Sequence, residues 1–113
     1  ATFVARGYSG KPKQLQEMIV KGIQHKGFSF IHIHSPCTEF HNTFNLYDTL
    51  VQDIPTEHDT GNLEAALHLV LSEERVNIGV FYQDSRPTLD EGLRRLEKQH
   101  APFDLKEHMA RFQ

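Results

Sequence analysis

The chain has 113 residues, 38% of them apolar, with 12 basic and 15 acidic side chains, a formal charge of −3, eight histidines and one cysteine. That bounds it to one small domain or a piece of one, and the acidic balance argues against a nucleic-acid binder or a binder of anionic membranes. No apolar run approaches the ~18 residues of a membrane span, the first residues lack the basic flank and apolar stretch of a signal peptide, and a lone cysteine rules out an internal disulfide and suits a reducing, cytoplasmic setting.

In chain order, Thr2-Phe3-Val4-Ala5 reads as a strand. A chain that opens inside a strand without a methionine reads as part of something longer; removal of an initiator methionine ahead of Ala1 is the alternative. Gly7-Tyr8-Ser9-Gly10 reads as a turn, and Pro12 suits the first turn of a helix, where its missing N–H costs nothing. Leu15, Met18, Ile19 and Ile23 recur at helical spacing, and His25-Lys26 followed by Gly27 closes a helix predicted over 12–25. Residues 28–34 predict a strand apolar on both faces through Phe28, Phe30, Ile31 and Ile33, the pattern of a parallel sheet covered by helices. Strand, helix and strand make a βαβ unit with a right-handed crossover. Pro36 cannot donate to a ladder and ends the second strand. Cys37 therefore falls just past the C-terminal end of a strand, the edge where open α/β sheets bind ligands.

Downstream, 42–50 holds a short helix, and 52–61 reads as a polar loop with Pro55 and Gly61. Leu63, Ala66, Leu67, Val70 and Leu71 form one stripe of a helix predicted over 62–74. Ile78 to Tyr82 is a short strand. Thr88 and Glu91 make a capping box that opens a helix through about Gln99, with a stripe of Leu89, Leu93 and Leu96. Asp104 and Glu107 give a similar start before Leu105, Met109 and Phe112. The expected fold is α/β, a partial parallel sheet made of one βαβ unit with an extra strand and helices. Three strands close a covered sheet poorly, so self-association through exposed strand edges is expected.

Cys37 can be a nucleophile or a metal ligand, or a buried inert thiol. An iron–sulfur cluster asks for about four thiolates, of which this chain could supply one. His32, His34, Cys37 and His41 form an H-x-H-x2-C-x3-H cluster, and zinc prefers four nitrogen or sulfur ligands. His32 and His34 share a strand face, yet Pro36 intervenes, so a small zinc protein and a pair of structural histidines both stay open. Glu57, His58 and Asp59 read as a solvated loop, and Arg94, Arg95 and Lys98 as a wet helix face. No G-x-G-x-x-G, G-x4-G-K-[ST], G-x-S-x-G, Cys-x-x-Cys or H-E-x-x-H occurs. The residues alone define a partial α/β domain with a thiol at its ligand edge.

ATFVARGYSG at 1–10, HKGF at 25–28, SPC at 35–37, and IGVFY at 78–82 with RPT at 86–88 resemble, in order and rough spacing, the C-terminal third of the β subunit of 2-oxoacid:ferredoxin oxidoreductases. The likeness covers about 1–90 and fades after that. It implies that 1–37 ends a Rossmann-like domain that binds thiamine diphosphate and that 38–113 is a C-terminal extension. It implies an enzyme that oxidatively decarboxylates a 2-oxoacid on thiamine diphosphate with Mg²⁺, passes electrons through a [4Fe–4S] cluster to ferredoxin and forms an acyl-CoA. An α subunit is the implied partner. Cys37 is implied as the fourth ligand of the cluster, the other three cysteines lying upstream. The family's G-D-G-D segment, its downstream Asn and those three cysteines are absent here, so the chain by itself is expected to be inactive and to bind neither thiamine nor a complete cluster. The T-E-F-H-N that follows the SPC element departs from the V-T-F/Y-N pattern of many relatives, which leaves Glu39 and His41 without an implied ligand role. The alternatives are a non-catalytic assembly module of the same fold and the small zinc protein.

Overall fold

Residues 3–8 carry one set of side chains (Phe3, Ala5) that seeks an apolar helix and another (Val4, Arg6, Tyr8) that faces the opposite layer, and this alternation organises the sheet. In the computed structural model, which describes residues 1–72, 74–99 and 104–112, the first strand, β1, is Phe3–Tyr8. It is followed by α1 (Pro12–Gln24), β2 (Ser29–His34), α2 (Phe44–Leu50), β3 (Val51–Asp53), α3 (Leu63–Val70), β4 (Val76–Gln83), α4 (Leu89–Gln99) and α5 (Leu105–Ala110).

The first βαβ unit forms as expected. Pro12 stands at the start of α1, and Gly27, at φ +139°, turns the chain back into β2. Gly22 lets the helix lie close on the sheet: a Cβ there would stand 2.9 Å from the Ile31 side chain. The Ser29 hydroxyl donates to the Gly22 carbonyl at 2.7 Å. Phe3, Ala5 and Met18 form the core beneath α1, with Ile31 and Val80 packed against them.

The sheet order is β2-β1-β4-β3. β1 and β2 run parallel, from Phe3 opposite Ser29 to Tyr8 opposite His34. β3 and β4 also run parallel, with Val51 opposite Val76. β1 and β4 run antiparallel, with an irregularity between Val4 and Ala5. Two βαβ units are thus joined along an antiparallel seam, and the sheet is mixed rather than simply parallel. A second core of Ala66, Phe81 and Tyr82 lies between α3 and the sheet, with Val4, Ile54 and Leu69 packed on it.

Several sequence expectations are corrected. β1 runs on through Tyr8, because its ladder with β2 continues to His34, and the turn shrinks to Ser9–Gly10. A fourth strand, β3, takes residues 51–53, of which 52 and 53 fall in the span 52–61 read as a polar loop; three residues are too few to show a period. The predicted helix over 62–74 stops at Val70, and position 73 lies outside the described residues. β2 is not buried on both faces: it is an edge strand, and Phe30 is 53% exposed. The Thr88–Glu91 capping box holds, with Glu91 N–H donating to Thr88 Oγ1 at 3.2 Å and Thr88 N–H to Glu91 at 3.0 Å. Asp104 accepts from the Lys106 and Glu107 amides at the start of α5. An ion pair between Lys26 and Glu91 ties the end of α1 to α4.

Candidate functional site

The C-terminal ends of β1 and β2 form one edge of the sheet, locked by the Ser9 N–H donating to the His34 carbonyl at 2.9 Å. Pro36 follows and the ladder stops. Cys37 is exposed just beyond. The backbone N–H of Phe40, and then that of Glu39, donate to its sulfur and hold the thiol below its ordinary value, against a smaller opposing effect of desolvation. This turn favours the thiolate, the form that binds metal.

The His34 ring lies tilted against Tyr47 at 5.3 Å and against His32 at 4.5 Å. Burial, then the neighbouring His32 and Arg6, hold His34 below the usual imidazole value and favour its neutral form. Tyr8 is buried beside them and donates its hydroxyl to Asp48 at 2.7 Å. Burial and that bond push the phenol up to about 12. Arg6 lies over the Phe81 ring at 5.2 Å on the same side of the sheet.

The H-x-H-x2-C-x3-H spacing does not become a metal centre. His32 and His34 meet each other, but among the described residues no three His, Cys, Asp or Glu side chains converge. In the Glu57–Asp59 segment, expected as a solvated loop, Glu57 and Asp59 are exposed, while the His58 ring bonds the Phe81 carbonyl at 2.7 Å and pins the segment to β4. Arg94 pairs with Asp90 at 2.9 Å on an exposed helix face, as expected. An open groove lined by Thr2, Phe28, Arg86 and Leu89 lies at the opposite ends of β1 and β2 and takes no part in the thiol site. Sequence reasoning missed Tyr8 and Asp48, which are 40 residues apart in the chain and carry no short-range motif.

Cys37 is thus an exposed thiol held below its ordinary value by the backbone around it, with no group of three His, Cys, Asp or Glu side chains formed about it among the described residues. The class of protein is fixed by comparison. Residues 39–110 match the family that comprises the C-terminal part of the pyruvate ferredoxin oxidoreductase beta subunit. The chain is 35% identical over 97 residues to a 2-oxoacid:ferredoxin oxidoreductase subunit beta of Saccharolobus solfataricus, covering 74% of this chain and 32% of the relative. It is 35% identical over 104 residues to the 2-oxoglutarate synthase subunit KorB of Methanocaldococcus jannaschii, covering 85% and 37%. Its fold is similar to a chain of the 2-oxoglutarate:ferredoxin oxidoreductase from Magnetococcus marinus, solved with 2-oxoglutarate, coenzyme A and succinyl-CoA bound. The TM-score is 0.86 at 35% identity, over 97% of this chain and 40% of that one. The chain belongs to the β-subunit family of 2-oxoacid:ferredoxin oxidoreductases, and it spans about a third of the length of these curated relatives.

Proposed function

We propose that the chain works as the C-terminal part of a β subunit in an enzyme that oxidatively decarboxylates a 2-oxoacid to an acyl-CoA and delivers the electrons to ferredoxin. Residues 1–37 end the domain that holds thiamine diphosphate and Mg²⁺, and residues 38–113 extend from it. The partners are an α subunit, ferredoxin, CoA and the 2-oxoacid, in the cytoplasm. The chain alone is inactive in this reading, because it offers one thiol and none of the family's diphosphate-binding segment.

Cys37 supplies one thiolate to a [4Fe–4S] cluster whose remaining ligands lie outside these residues. The observation that carries this role is the exposed Cys37 sulfur, at the C-terminal edge of a parallel pair, receiving amide donors from Phe40 and Glu39. The cluster, when bound, stores and passes single electrons. The chain's own part is to present a thiolate at a fixed place and to aim N–H groups at its sulfur, one lever on cluster potential. The free outer edge of β2, with Phe30 and Ile33 exposed beside it, is where further sheet or a second subunit would pair.

The test is Cys37→Ala in the complete enzyme. Iron per β subunit should fall by most of one cluster and the low-temperature paramagnetic signal of the reduced protein should vanish. Full iron with an unchanged signal removes Cys37 from the ligand set.

A further inference from the structure

Residues 35–43, which carry Cys37, join the end of β2 to the start of α2. A ligand on such a loop is only as well placed as the two elements that flank it. The near end is tied by the Ser9–His34 backbone bond. The far end is a weak point: α2 has no buried residue, so its own packing does little to hold it.

Its C-terminal end continues into β3, and the Arg75 guanidinium donates to the Thr49 carbonyl at 2.7 Å; toward the Cys37 loop the fastening is Tyr8. The Tyr8 ring lies 6.2 Å from both Phe44 and Tyr47 in α2, and its hydroxyl donates to Asp48 in the same helix. Tyr47 in turn packs at a tilt against His34, the last residue of β2, at 5.3 Å. The turn after β1 is shaped around this ring: a Cβ at Gly10 would stand 2.2 Å from it. Both ends of the Cys37 loop therefore converge on one buried side chain.

We propose that Tyr8, with Asp48 as its acceptor, is the positioning residue for Cys37, fixing α2 against the sheet edge so that the 35–43 loop holds the sulfur and its amide donors in one arrangement. This rests on the reading of Cys37 as a cluster ligand. Groups behind a metal ligand orient it and tune the centre it serves, so loosening the clamp alters the centre without touching a ligand.

The experiment uses the assembled enzyme and Tyr8→Phe, which keeps the ring and removes only the hydroxyl. Amide hydrogen exchange over residues 35–50 should quicken by about five-fold or more while β1 and β4 stay protected, and the reduction potential of the retained cluster should move. Asp48→Ala, on the exposed side of α2, should reproduce both changes, which keeps the test open if Tyr8→Phe assembles poorly. Asp48→Asn, which retains an oxygen for the Tyr8 hydroxyl, should preserve wild-type exchange. Unchanged exchange, or faster exchange with an unmoved potential, overturns the positioning role. Full iron in Cys37→Ala overturns the ligand reading instead, so the two failures are told apart.

Discussion

At the scale of single residues, charge placement in this chain is mostly a surface matter, and Asp53 shows how far it reaches. Lys11 donates to it at 2.8 Å and Gln14 at 2.6 Å, which joins the start of α1 to the end of β3. The Lys11 bond, then the Gln14 bond, hold the Asp53 carboxyl below the usual range. A carboxylate with a depressed folded pKa stabilises fully above its unfolded value of about 3.9 and loses that contribution as pH falls through the folded value. Both partners are well exposed, at 41% and 57%, so solvent screening limits the pair to about 0.2–1 kcal/mol. Asp53→Asn should lower urea stability by that small amount at pH 7, with the gap to wild type closing below about pH 4. A gap that widens in acid would contradict this account.

At the scale of elements, the second βαβ unit depends on a polar residue inside it. Asn77 is 1% exposed. Its amide donates to the Leu69 carbonyl at 2.8 Å, near the end of α3, and its oxygen accepts from Gln52 in β3 at 2.6 Å. One side chain thus joins three successive elements. Asn77→Ala should cost about 1–3 kcal/mol, because it removes a buried side chain's two bonds and leaves the part-buried Leu69 carbonyl without that donor. Urea midpoints at unchanged slope would read it, and a loss under about 0.5 kcal/mol would show that water replaces the amide. Gly79 in the same strand sits at φ +139°, with the Ile54 side chain 3.2 Å from where a Cβ would stand. The strand has that shape only because no side chain is present there.

At the scale of the whole molecule, the shape is extended. The radius of gyration is 21.3 Å, with extents of 69 × 37 × 24 Å, against about 13 Å for a compact domain of 100 residues. Neither α4 nor α5 has a buried residue, and Leu93 and Leu96 on α4 are each about half exposed. Such a stripe at helical spacing is an unpartnered face. The chain purified by itself should therefore associate as its concentration rises, and Leu93→Glu with Leu96→Glu should shift it toward monomer in sedimentation velocity. A wild-type chain that stays monomeric at high concentration would count against this.

Local chemistry made much of this readable from the residues. The α1 pattern, its proline start and Gly27 stop, the Thr88–Glu91 capping box, the Asp104 cap and the placement of Cys37 past the end of β2 all follow from contacts within a few residues of one another. The family was legible for the same reason, since its short segments survive as strings. What tertiary structure alone decided lies between distant residues. The antiparallel seam of β1 with β4 brings together strands some 70 residues apart, and β3 exists only because β4 is there to pair with it. β2 reads as doubly buried because its composition does not say which neighbours are present, yet in this sheet it is an edge. The four-residue His and Cys spacing could not reveal that its side chains fail to converge. The Tyr8–Asp48 contact likewise appears only once α2 folds back onto the strand ends. A sequence pattern records which face each residue prefers; which distant surface fills that face is settled by packing.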